Sequence, residues 1–131
     1  MKNIQVVAAI IYHNDKILCV QRGYSKYDYI NQKFEFPGGK VEKGETDGEA
    51  LIREIKEELE MEISEMNFLI KVEHEYPDFQ ITMNCFECKT KTKDLTLNEH
   101  IDYKWLDKSE LESLDWAAAD IPIVNRIILS N

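Results

Sequence analysis

The stretch Gly38–Met61, GGKVEKGETDGEALIREIKEELEM, carries seven glutamates: Glu42, Glu45, Glu49, Glu54, Glu57, Glu58 and Glu60. Carboxylates in that number can serve as a solvated helix face. They can also gather around a hard divalent cation, which takes carboxylate oxygens and, in the case of Mg²⁺, commonly shares them with substrate phosphates. Spacing begins to separate the two. On a helix at about 100° per residue, Leu51, Ile52, Ile55 and Leu59 form an apolar stripe, with Glu49, Arg53, Lys56 and Glu60 roughly opposite. Glu54, Glu57 and Glu58 share an arc of about 100° flanking that stripe, on the side that also carries Ala50. Like charges three and four residues apart destabilise an isolated helix by about 0.2–0.5 kcal/mol per pair, and the helix C-terminus disfavours anions further. Helix geometry alone leaves two readings of this trio, an acidic surface relieved by Arg53 and Lys56 or a metal site. Gly38-Gly39 before the helix permits close approach of backbone to a phosphate or metal, and Lys40 adds a cation, which favours the second.

The elements that must position these groups follow from pattern. The apolar, β-branched run IQVVAAIIYH, the turn residues HNDK and the run ILCVQR predict a hairpin. Residues 23–33 lack a period and read as a loop. FEFPGG is a short strand stopped by Pro37 and the two glycines, which open a loop. Thr46 and Glu49 form a capping box that starts a helix over 46–60. MNFLIKVEHEY and FQITMNCFECKT are strands separated by Pro77-Asp78. KTKDLTLNEH is a polar loop, IDYKWL a strand and DKSELESL a short helix. DIPIVNRIIL is a final helix, with Asp120 as candidate N-cap and Pro122 in its first turn. Strands on either side of one strong helix, with a second helix at the end, predict a mixed sheet between helices.

Composition narrows the functional classes. The 131 residues fit a single domain (1–131), and the hydrophobic fraction of 44% is that of a folded protein. Acidic residues outnumber basic ones 25 to 16, and a net charge of −9 argues against a grip on a nucleic-acid polymer. A phosphorylated small molecule remains compatible, because bound cations invert the local field. Cys19, Cys85 and Cys88 are too few for a disulfide framework, and Cys85 and Cys88 fall on opposite faces of a strand, as structural thiols. The N-terminal run reaches Asn14-Asp15 before it is long enough for a signal peptide or membrane span, so the expected setting is cytoplasmic and membrane-free.

Gly39, Glu45, Arg53, Glu54, Ile55, Glu57, Glu58 and Met61 fall in register with G-x5-E-x7-R-E-U-x-E-E-x-G-U, where U is aliphatic. The chain resembles the Nudix hydrolases on this motif. It departs from it at Glu60, where the family usually has a helix-ending glycine; the substitution modifies the cap, at a cost of about 1 kcal/mol at most. FEFPGGKVEKGET, EYPDFQITMNCFEC, NEHIDYKWL and WAAADIPIV extend the similarity to the MutT-like branch over nearly the whole chain.

The resemblance implies an α/β/α sandwich with a mixed β-sheet and the hydrolysis of a nucleoside triphosphate to a monophosphate and pyrophosphate. It implies Mg²⁺, or Mn²⁺ in its place, held by Glu54, Glu57, Glu58 and the Gly38 carbonyl. Arg53 would orient Glu45 or Glu57. Glu99 would be a further ligand or the general base, a role Glu54 could also fill. Arg22, and less directly Lys40, would contact phosphate. Gly39, Phe36 and Phe79 would lie along the substrate, the aromatics either stacking on a base or packing in the core. At Asp120 some MutT-like enzymes carry an asparagine that reads the oxidised guanine edge. An ionised aspartate accepts hydrogen bonds only, suiting the cytosine amino group; protonated, it can donate toward an oxidised purine. The expected substrates are therefore 8-oxo-dGTP or cytidine nucleotides. ADP-ribose, NADH and dinucleoside polyphosphates are the alternative, followed by nucleotide binding without catalysis. Monomer and homodimer are both compatible with the sequence.

Overall fold

The computed structural model describes residues 1–130. Seven strands form one mixed sheet: β1 (Lys2–His13), β2 (Lys16–Gln21), β3 (Phe34–Glu35), β4 (Gly38–Lys40), β5 (Ser64–Glu75), β6 (Phe79–Lys89) and β7 (Asp102–Leu106). Helix α1 spans Asp47–Leu59 and α2 spans Ile121–Leu129, with 3₁₀ turns at Lys108–Ser113 and Ala118–Asp120. The sheet order is β3-β2-β1-β6-β5, with β4 beside β1 and β7 beside β2. β1 runs parallel to β6 along its length, and the other pairings are antiparallel.

Alternation along β1 assigns the two layers. Val7, Ala9 and Ile11 pack with Ala50, Leu51, Ile55 and Leu59 of α1. Ala8 and Ile10 pack on the other face with Ile123, Val124 and Ile127 of α2, and with Leu111 and Trp116. This is the expected α/β/α sandwich. Cys85 belongs to one core and Cys88 to the other, as a spacing of three along a strand requires.

Helix α1 opens with the expected capping box. The Glu49 amide donates to Thr46 Oγ1 at 3.1 Å, and the Thr46 amide donates to Glu49 Oε1 at 2.9 Å. Its buried face differs from the apolar stripe. Ile52 is 48% exposed, whereas Ala50 and Glu58 are buried beside Leu51, Ile55 and Leu59. Transfer of Leu51, Ile55 and Leu59 from water supplies about 1.5–3 kcal/mol each. That is enough to fix a helix rotation that takes Glu58 inward at the expense of Ile52.

The β1–β2 hairpin is narrower than predicted, with β2 meeting β1 only at Tyr12–Ile17 and His13–Lys16. It then diverges, and β4 takes over the same edge of β1 at Val6–Lys40, Val7–Gly39 and Ala8–Gly38. The two glycines thus form a strand where the sequence suggests a loop. Neither has positive φ, the one such glycine among the described residues being Gly44. Their requirement is space: a β-carbon on Gly38 would stand 1.9 Å from the Val7 carbonyl oxygen. Where β2 and β4 part, groups from the α1 layer and the α2 layer can meet.

Candidate active site

A cavity of about 670 Å³ occupies that gap. Its lining includes four carboxylates, Glu35, Glu54, Glu58 and Glu99, with Arg22 and His100. The apolar side chains of Phe36, Tyr76, Phe79, Ile81 and Met83 line it as well, together with Asp120. Glu58, His100 and Asp120 are the buried polar side chains among the described residues, and all three line this cavity. Burying ionisable groups is costly unless they are paired or used, so their convergence marks a functional site.

Glu54 and Glu58 stand four apart on α1 and face the cavity together; Glu57 projects from the rim, its side chain 59% exposed. The predicted trio is therefore split into two inward carboxylates and one outer one. Arg53 ties them to the preceding loop. Its Nε donates to Glu45 Oε2 at 2.6 Å and one terminal nitrogen to Glu45 Oε1 at 2.9 Å, a bidentate pair. The other terminal nitrogen reaches Glu54 Oε1 at 2.8 Å and Glu57 Oε2 at 3.3 Å. Arg53 also donates to the Lys40 carbonyl at 3.1 Å. Although it lies opposite the apolar stripe, Arg53 is the hub of the acidic cluster and not part of a solvated face. Hydrogen bonds from Arg53, and then from the Glu42 backbone, hold the Glu45 carboxyl down at about 2.

Glu58 lies in the opposite environment. Burial first, then the charges of Glu54, Glu99 and Glu35, push its carboxyl up to about 10. Its Oε2 is buried with no hydrogen-bond partner in the protein. Gly39 leaves room for Glu54, whose carboxylate would be 2.3 Å from a β-carbon at that position. Inward carboxylates, an unpartnered buried oxygen and a missing β-carbon together suit a hard cation. The fit requires side-chain adjustment, because among the described residues no three His, Cys, Asp or Glu side chains already converge as a metal-binding group.

Two lining groups escape sequence reading. His100, eight per cent exposed, places Nε2 3.0 Å from Glu35 Oε2 and 4.0 Å from Glu58 Oε1. Glu35 in turn accepts from Arg22 at 3.0 Å. A histidine in NEH reads as a loop residue; it is buried because β7 pairs with β2 and draws the loop over Glu35, with the Ile101 amide donating to the Gln21 carbonyl at 3.0 Å. Tyr76 is the second. Its hydroxyl accepts from the Ala119 amide at 2.9 Å, and its ring packs against Phe79 at 5.2 Å.

Asp120 is not the side-chain N-cap of α2. It makes no side-chain cap bond, and instead accepts from the Phe36 amide at 3.0 Å. The Ala118–Asp120 3₁₀ turn feeds directly into α2 and turns this side chain back into the cavity. Burial, then the Glu35 charge, raises its carboxyl well above the usual range. Phe36 packs in the core, stacking on Trp116 at 4.7 Å, and its side chain also lines the cavity. A shallower cavity of about 390 Å³ adjoins, lined by Lys2, Arg22 and Lys40 among others.

A mixed sheet between two helical layers, with a glycine strand feeding an acidic helix into a cleft, defines a Nudix hydrolase, an enzyme acting on nucleotides. The chain belongs to this family, matching the NUDIX domain over residues 6–126. It is 28% identical over 127 residues to an 8-oxo-dGTP diphosphatase of Escherichia coli K12, covering 97% of this chain and 98% of that protein. It is 35% identical over 124 residues to the CTP pyrophosphohydrolase of the same organism, covering 95% and 90%. The solution structure of a MutT protein of the Nudix hydrolase family from methicillin-resistant Staphylococcus aureus 252 is 44% identical, with 98% of both chains covered and a TM-score of 0.74. No helix among the described residues is long and apolar enough to cross a membrane.

Proposed function

We propose that the chain hydrolyses a nucleoside triphosphate to the monophosphate and pyrophosphate, with 8-oxo-dGTP or cytidine triphosphates as substrates. The observation that carries this reading is a single cavity lined both by aromatic side chains with Asp120 and by a group of carboxylates. The aromatic lining suits a base: Phe36, Tyr76 and Phe79 offer apolar and aromatic walls, and Asp120 offers a polar group to the base edge. The relatives named for 8-oxo-dGTP and for CTP fit that pairing.

In the same cavity, Glu54, Glu58 and Glu99, with Glu57 swinging in from the rim and the Gly38 carbonyl, are the residues that would hold Mg²⁺ or Mn²⁺. Bound metal would offset the phosphate charge and favour in-line attack by water. Arg53 and Glu45 keep Glu54 oriented. Arg22 and Lys40, which border both cavities, balance the polyphosphate. In the reaction, the water oxygen bonds to one phosphorus of the α–β anhydride and the bridging oxygen leaves with the other. The water proton passes to Glu54 or Glu99. Glu99 is reachable from solvent, whereas Glu54 is engaged by Arg53.

A nucleotide panel with and without Mg²⁺ tests the reading. The expected result is metal-dependent pyrophosphate release from triphosphates, lost in Glu57→Gln and Glu58→Gln. AMP release from ADP-ribose without triphosphate turnover, or full activity in either variant, would overturn it.

A further inference from the structure

The helix that carries Glu54 and Glu58 has no glycine to end it, yet its last carbonyls are all occupied. Glu60 takes the left-handed conformation at φ 53° and ψ 41°, its amide donating to the Lys56 carbonyl at 3.0 Å. The next three carbonyls are taken by the loop leading to β7. Asn98 Nδ2 donates to the Glu57 carbonyl at 2.8 Å, the Asn98 amide to the Glu58 carbonyl at 3.0 Å, and the Thr96 amide to the Leu59 carbonyl at 2.9 Å. Asn98 Nδ2 also lies 3.3 Å from Glu60 Oε2, so the residue in the glycine position adds an acceptor to the same contact. The residues immediately following Asn98 are Glu99 and His100, both of which line the cavity.

We propose that Asn98 is a positioning residue that clamps the Glu99–His100 loop onto the C-terminus of α1, setting Glu99 in register with Glu58. Helix carbonyls left without an intrahelical donor need partners. Here those partners come from the chain segment that delivers the remaining carboxylate, so one set of hydrogen bonds ends the helix and assembles the acidic lining of the cavity. Asn98 contributes a side-chain and a backbone donor to consecutive residues of the helix. This role rests on the pyrophosphohydrolase reading above.

The test compares Asn98→Ala, the near-isosteric Asn98→Asp, which removes the donor, and Glu60→Gly, which keeps the left-handed cap and the 2.8 Å bond. Both Asn98 variants are expected to lose about 10–100-fold in kcat on the best triphosphate. KM should stay within about twofold and melting well above assay temperature, a split that a merely structural role would not produce; Glu60→Gly should keep wild-type kcat. Amide hydrogen exchange in the metal-free protein supplies a second readout: Asn98→Ala should deprotect the Thr96 and Asn98 amides while the buried middle of α1, Leu51 to Ile55, stays protected. Wild-type kcat in Asn98→Asp, or unchanged exchange in Asn98→Ala, would overturn the clamp. If the wild-type protein turns over no triphosphate, the functional reading fails, and the exchange result alone upholds or removes the clamp.

Discussion

Gly39 lies against the Glu54 carboxylate so closely that a β-carbon would stand 2.3 Å from it, whereas a β-carbon on the adjacent Gly38 would stand 1.9 Å from the Val7 backbone. The two neighbouring glycines therefore make different demands, and substitution should separate them. Gly38→Ala meets backbone that cannot move without breaking the β1–β4 pairing. It should cost about 3 kcal/mol or more in denaturant unfolding, the upper end of overpacking. Gly39→Ala meets a side chain that can rotate away. It should cost less stability and lower kcat by at least about tenfold, because Glu54 is displaced. Unfolding curves and kinetics on both variants check the contrast.

Arg53 distributes its five donors over Glu45, Glu54, Glu57 and the Lys40 carbonyl. A lysine keeps the charge but cannot reproduce the planar fork. Arg53→Lys should lower kcat about 10–100-fold with a small change in KM, the pattern of lost orientation. Retention of full kcat would remove Arg53 from the orienting role.

Glu58 has its carboxyl raised from 4.5 to about 10, and Asp120 is raised in the same sense. A carboxyl with a raised folded-state pKa keeps its proton while the unfolded chain loses one. Its stabilising effect is complete below about pH 4.5 and fades as pH rises toward 10. The metal-free protein should therefore melt at progressively lower temperature from about pH 5 to pH 9. Glu58→Gln should flatten that slope. Mg²⁺, which binds the ionised form, should raise the melting temperature more at pH 9 than at pH 6. Thermal melts across pH with and without Mg²⁺ provide the check.

Asp120→Asn preserves shape and an acceptor for the Phe36 amide while presenting an N–H₂ donor to the cavity at every pH, where the aspartate donates only in its protonated form and, when ionised, only accepts. It should shift relative kcat/KM from cytidine triphosphates toward 8-oxo-dGTP by about tenfold or more, the scale of one hydrogen-bond change in a buried site. At neutral pH it should not destabilise the fold, because a costly buried acid is removed. An unchanged preference would take Asp120 out of specificity.

Much of this protein is local and so was readable in the chain. The capping box, the β-branched runs and the Pro77-Asp78 turn depend on residues a few positions apart, and the structure keeps them. The Gly39–Met61 motif marked the acidic helix that lines the cavity because its groups lie within one short segment, and a helix converts spacing into geometry directly. Tertiary structure decided what depends on distant partners. Ile52 and Glu58 exchanged places because α1 rotated to fit Val7, Ala9 and Ile11. Gly38-Gly39 became a strand because β2 left an edge of β1 unpaired. His100 entered the site because β7 pairs with β2, and Asp120 turned inward because the Phe36 amide needed an acceptor. Periodicity cannot encode these outcomes: each is a choice between partners far apart in sequence, settled by which buried groups would otherwise remain unpacked or unpaired.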